Sequence, residues 1–145
     1  MHRNLFFMPE RFDYRQRILK SVNDANGNTA SFIVDGAANS HSGVPHYGMA
    51  HVSSTVYNQS IQGCLCHGYG ATLYRVAETV SKSSDVVIHI LSDQIEKWKA
   101  RHNGRYPQTI YVQIDGGPDN ANAVVLGFTE WLVAKRICCT LQLTR

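Results

Sequence analysis

Thr109-Ile110-Tyr111-Val112-Gln113-Ile114-Asp115-Gly116 decides the fold, because this β-branched and aromatic run ends abruptly in an acid followed by glycine. The same construction occurs earlier as Ser31-Phe32-Ile33-Val34-Asp35-Gly36. Each predicts a buried strand that delivers a carboxylate at its carboxyl end, where loops gather and ligands bind in open α/β sheets. Between them, Ser83-Ser84-Asp85 supplies a helix start. Val87, Ile90, Leu91, Gln94, Ile95 and Trp98 then recur at helical spacing until Asn103-Gly104 stops the run. With that helix as the crossover, the strand ending at Asp115 is expected parallel to and beside the strand ending at Asp35. The two carboxylates then meet at one sheet edge.

Working outward, Pro9 to Asn23 carries Phe12, Ile18, Leu19 and Val22 in a moderately amphipathic helical pattern, and Asn23 to Asn28 is a turn-rich breaker. Ala37 to Gly48 reads as a loop. Met49 to Tyr57 and Ser60 to Val76 read as extended, with a hairpin turn at Gly68-Tyr69-Gly70. After Asp115, the turn Gly116-Gly117-Pro118-Asp119-Asn120 leads into a helix with Ala121, Val124, Val125, Phe128, Trp131 and Leu132 on one face. Trp98 and Trp131 are read as core residues on their helices. Cys138 to Leu143 is a final strand, and the whole is a mixed α/β pattern.

A chain of 145 residues with 43% apolar and 17% charged residues suits one compact domain, or a large piece of one. The formal net charge of +3 is compatible with a polyanionic partner but is no argument for one. No apolar run reaches the roughly 18 residues of a membrane span, and the first residues are too weakly apolar for a signal peptide, so an intracellular protein is expected. The cysteines Cys64, Cys66, Cys138 and Cys139 suit neither a disulfide framework nor a paired zinc motif and read as reduced thiols. Cys64-Leu65-Cys66-His67 can also be read as a soft-metal cluster, against which its spacing speaks.

Two carboxylates held close repel each other unless a cation lies between them, and hard oxygen donors suit Mg²⁺ or Mn²⁺. Such a centre generates a hydroxide nucleophile and stabilises the attacking and leaving oxygens of a phosphodiester, normally with a third acid. The plainer reading stands beside it and leads on spacing alone: Asp-Gly after a strand is ordinary turn chemistry. Asp119 favours the positive end of a helix dipole, and Asn120 and Asn122, poor helix formers, are either caps or polar contacts. Gly116-Gly117 can cradle a phosphate through backbone N–H groups but lacks the lysine of a nucleotide-binding loop. His41, His46, His51 and His67 form no ligand motif, and Arg101, His102 and Arg105 read as a solvated helix end.

QIDGGPDNANAVVLGFTEWLVAK (113–135) is similar to the strand-to-helix signature of a transposase-derived domain of unknown function. FIVDGAANSHSGVPHY (32–47) resembles that family's first strand and following loop, and QGCLCHGYGATLYRV (62–76) its hairpin. The resemblance covers roughly Ser31 to the end. It implies an RNase-H-like mixed sheet flanked by helices, with residues 1–28 as an N-terminal helical extension and 29–145 as a partial domain truncated at the C-terminus. It also implies that Asp35 and Asp115 are catalytic, metal-binding acids, and that Asp119, Asn120 and Asn122 are supporting polar positions. The chemistry implied is ancestral Mg²⁺- or Mn²⁺-dependent polynucleotidyl transfer or nuclease action on a nucleic-acid partner, with this isolated chain expected to be incomplete or inactive because it lacks the third acidic ligand, and with nuclear localisation by analogy. Departures are Gly116 where asparagine is expected, Ala38 where an acid is frequent, and a further acidic element expected beyond Arg145. The alternatives are a non-catalytic nucleic-acid or protein interaction module, and a small phosphate or nucleotide binder using Gly116-Gly117.

Overall fold

The computed structural model describes residues 3–24, 26–36, 59–77, 79–80, 83–115 and 122–144. The elements run α1 (Arg3–Val22), β1 (Thr29–Gly36), β2 (Ser60–Cys66), β3 (Gly70–Val76), α2 (Ser84–Arg101), β4 (Thr109–Ile114), α3 (Ala123–Ala134) and β5 (Thr140–Thr144). The five strands form one sheet in the order β3-β2-β1-β4-β5. β2 is antiparallel to both of its neighbours, whereas β1, β4 and β5 are mutually parallel. This is the RNase-H-like mixed sheet that the family resemblance implies.

Side-chain alternation along the strands sets two faces. Ala30, Phe32 and Val34 of β1, Cys64 and Cys66 of β2, and Ile110, Val112 and Ile114 of β4 form the core face. Val87, Ile90, Leu91, Ile95 and Trp98 of α2 and Val125 and Leu132 of α3 close over it. Trp98 meets Phe32 edge to face with ring centroids 6.4 Å apart, within the range such aromatic pairs prefer. Asn122 ties the two helices together by donating to Ser84 Oγ. On the opposite face α1 crosses the sheet, with Tyr14 against His67 and the Arg17 guanidinium 5.6 Å from the Tyr111 ring centroid.

Turn chemistry explains the joints. Asp24 accepts from the backbone N–H groups of Asn26 and Asn28 at 3.1 and 2.9 Å, which folds the α1–β1 connection. The β2–β3 hairpin turns through Gly68 and Gly70, both at positive φ (87° and 100°). At the end of α2, Asn103 and Gly104 are left-handed and the Gly104 N–H returns to the Lys99 carbonyl at 2.9 Å.

Two readings of helix faces are corrected. In α1 the residues turned inward are Tyr14, Arg17, Ile18 and Ser21, while Phe12, Leu19 and Val22 are exposed. The inward stripe keeps helical spacing but is mostly polar, and the long Tyr and Arg side chains cover the sheet with their apolar bodies. In α3 the inward positions are Val125, Phe128, Thr129 and Leu132, whereas Val124 and Trp131 are 57% and 48% exposed. A helix apolar on nearly every side gives no periodic signal to orient it.

Candidate metal centre

The parallel pairing of β1 with β4 runs from Thr29↔Thr109 to Val34↔Ile114. Asp35 and Asp115 are the next residue on each strand, so the register carried one step further sets them side by side. Adjacent strands lie about 4.8 Å apart, and that is the expected separation of their Cα atoms. Val34 and Ile114 are buried in the core face, so alternation turns both acids to the other face, and both are exposed. The sequence-derived crossover is what makes this possible: α2 carries the chain from β3 at one sheet edge back to β4 beside β1.

Asp35 Oδ1 accepts the Gly36 N–H at 2.8 Å, which is the turn contact anticipated for an Asp-Gly step. The turn and ligand readings are therefore compatible for Asp35, since Oδ2 remains outside that bond. The ion pairs among the described residues join Lys97 to Asp93 and Lys99 to Glu96, and neither involves Asp35 or Asp115. Directly across from Asp35 on β2 stands Gly63. A Cβ there would lie 3.6 Å from the Asp35 carbonyl oxygen and 3.7 Å from Leu73 Cδ2, ordinary contact distances. We did not single out Gly63 from sequence.

The remaining candidates separate. Asn122 is the N-cap of α3, its side chain accepting from Val124 N at 3.0 Å and Val125 N at 3.1 Å. Asp119, Asn120, Gly116-Gly117, His41, His46, His51 and the Met49–Tyr57 segment lie outside the described residues. Cys64 and Cys66 share the core face, where burial pushes the Cys64 thiol up to about 12 and the Cys66 thiol up to about 11. His67 follows on the opposite face, with Nδ1 3.1 Å from Ser31 Oγ and Nε2 3.4 Å from Tyr14 Oη. Cys64, Cys66 and His67 thus do not converge, and no group of three metal-ligating side chains occurs among the described residues. His102 is not a solvated helix end either. It stacks on Trp98 at 4.3 Å, and Tyr69 Oη is 2.9 Å from its Nε2.

With this geometry in place, comparison with known proteins shows the family. The model of the Domain of unknown function (DUF7869) matches residues 50–144, well over half of the chain, and the protein belongs to that family. Asp115 falls inside the matched span, and Asp35 precedes it. No curated protein sequence matches the chain. Among solved structures, it is similar to the Argonaute of Marinitoga piezophila in complex with 5′ OH guide RNA and target DNA, at 12% identity and TM-score 0.45 over 74% of this chain. It is also similar to Mos1 transposase in its paired-end complex with the left transposon end (8%, 0.44, 89%) and in its strand transfer complex (8%, 0.46, 94%). The chain spans 15% of the Argonaute and 38% of each Mos1 chain. The fold assignment stands on the strand order and register themselves. No helix among the described residues is long and apolar enough to cross a membrane.

Proposed function

We propose that this is a transposase- or integrase-like domain whose Asp35 and Asp115 hold a Mg²⁺ or Mn²⁺ ion for phosphodiester chemistry on a polynucleotide. The observation that carries the proposal is the parallel register, which ends Val34↔Ile114 with an exposed aspartate next on both strands. Two acids on neighbouring strands, with no cationic side chain paired to either among the described residues, make a hard-oxygen donor set. Mg²⁺ is commonly bound through one or two carboxylates plus water and substrate phosphate, so the pair suffices for binding. The bound ion would supply Lewis acidity and a lowered proton affinity for an attacking water. The chain's own part is to fix the two acids at the ends of paired strands and to hold Asp35 in place through the Gly36 N–H.

The test is Mn²⁺ binding by paramagnetic broadening together with nicking of supercoiled DNA. Broadening centred on Asp35 and Asp115 that disappears in Asp35→Asn and Asp115→Asn supports the centre, and nicking lost in the same variants supports catalysis. Wild-type protein that shows neither leaves the fold as a non-catalytic interaction module.

A further inference from the structure

The sheet face that carries the two carboxylates continues past them to the edge strand β3. Asp35 stands opposite Gly63 of β2, and Gly63 stands opposite Leu73 of β3, so one row crosses the sheet from Asp35 to Leu73. Two residues further along β3, Arg75 pairs with Ile61 and starts from the same face by alternation. Leu73 Cδ2 lies 3.7 Å from the Cβ position of Gly63, which sets the leucine over β2 on that face, yet Leu73 is 75% exposed. Among the described strand and strand-end residues of this face, the charged ones are Asp35, Asp115 and Arg75. Arg75 is exposed and enters no ion pair among the described residues. A charge on an edge strand can guard it against pairing with other chains, but so exposed a leucine on the same strand works against that purpose.

We infer that Leu73 and Arg75 form a backbone-binding subsite for the polynucleotide strand that runs from the metal pair across β2 to β3. The substrate class rests on the proposed function, whereas the placement rests on strand register alone. Arg75 lies two strands across and two residues along from Asp35, so their Cα atoms are roughly 12 Å apart by strand spacing and rise. An extended arginine side chain spans about half of that distance. Successive nucleotides of a stacked strand rise ~3.4 Å, so the guanidinium reaches a phosphate one or two nucleotides from the phosphate at the metal. Its planar fork of N–H donors matches phosphate oxygens. Leu73, between the two positions, presents apolar surface to the sugar and base edge that pass over it. Charge is then divided along the strand: the metal faces one phosphate and Arg75 a neighbour. A contact of this kind fixes the position of the strand without reading its sequence.

The experiment measures binding of a fluorescent oligothymidylate to the whole chain in Mg²⁺, by anisotropy over a series of salt concentrations. Amide NMR shifts locate the oligonucleotide, and Mn²⁺ broadening probes the carboxylates separately. Shifts are expected at Leu73 and Arg75. Arg75→Gln should weaken binding about tenfold, the worth of a charge-assisted hydrogen bond. It should also lower the salt slope by about 0.7, the share of one phosphate contact on a single strand. Arg75→Lys keeps the charge and should restore the slope while recovering only part of the affinity, because the fork is lost. Leu73→Ser should weaken binding with the slope unchanged, and oligoadenylate should show the same dependence on Arg75. Both side chains are exposed, and unshifted amides elsewhere verify that the variants are folded. Shifts that map away from β3, or a salt slope that Arg75→Gln leaves unchanged, overturn the inference and leave Arg75 as a guard of the edge strand. Mn²⁺ broadening at Asp35 with no oligonucleotide binding overturns the subsite alone. Arg75-dependent binding without Mn²⁺ broadening removes the metal centre and leaves a polynucleotide-binding face.

Discussion

At the scale of single residues, the end of α2 shows how tightly a side chain can be specified by neighbours distant in sequence. His102 Nδ1 lies 2.8 Å from the Trp98 carbonyl oxygen and must carry the hydrogen there, so Nε2 is the acceptor for Tyr69 Oη. Gly27, at φ +65°, leaves the space this ring occupies: a Cβ on it would fall 2.1 Å from His102 Cδ2. Gly104 is also left-handed, at φ +79°, but has nothing within 4 Å of its Cβ position. Gly104→Ala should therefore cost only the backbone penalty of about 1 to 2 kcal/mol. Gly27→Ala should cost at least ~1 kcal/mol more, because the His102 ring must leave its stack. Urea denaturation of the two variants measures the difference, and equal losses would show that the ring is not held. Asp35 and Asp115 were legible at this scale because their chemistry changes sharply at one position in an apolar run. His102 was not, because the residues that capture it come from two other elements.

At the scale of elements, α2 and α3 mark the limits of periodicity. The positions expected to face inward in α2, Val87, Ile90, Leu91, Gln94, Ile95 and Trp98, are its buried residues. Its other face is charged, and there Lys97 pairs with Asp93 at 2.6 Å. Burial raises the Asp93 carboxyl, but the hydrogen bonds from Lys97 and Tyr74 and the nearby Lys97 charge together outweigh it and hold the group below its usual range. α3 has apolar side chains on nearly all sides, so spacing alone could not choose between Trp131 and Thr129 for the core. The structure buries Thr129, whose hydroxyl donates to the Leu126 carbonyl at 2.7 Å, and leaves Trp131 half exposed and stacked on Phe128. Truncation distinguishes the two tryptophans. Trp98→Ala removes a side chain only 1% exposed and should cost ~3 to 5 kcal/mol. Trp131→Ala should cost under ~1.5 kcal/mol, as a half-exposed ring loses much less buried surface. Thermal melts of both variants check this, and similar shifts in midpoint would reverse the assignment of Trp131 to the outer surface.

At the scale of the whole molecule, the parallel β1–β4 pair followed from the crossover helix, but nothing local in the sequence assigned β3 and β5 to the sheet edges. Nor did any local feature show which face α1 covers. That face is joined through His67, which connects Ser31 of β1 to Tyr14 of α1 and is 8% exposed. Burial holds its imidazole below the ordinary histidine range, against a smaller opposing effect from its hydrogen bond to Ser31. The folded protein therefore binds a proton at His67 less readily than the unfolded chain does. The sign follows from linkage: stability from His67 is fully present above the unfolded value near 6.5 and falls as pH drops from there through the lowered folded value. Acidification thus loosens the seat of α1, because Nε2 accepts from the Tyr14 hydroxyl only while it is unprotonated. Urea midpoints should fall between pH 7.5 and pH 5.5 in the wild-type protein. His67→Gln keeps a polar group at the site but cannot titrate, so that part of the fall should vanish in the variant. Hydrogen exchange should assign the acid-induced loss to α1 before the central strands, and an identical pH slope in the two proteins would show that another group controls it.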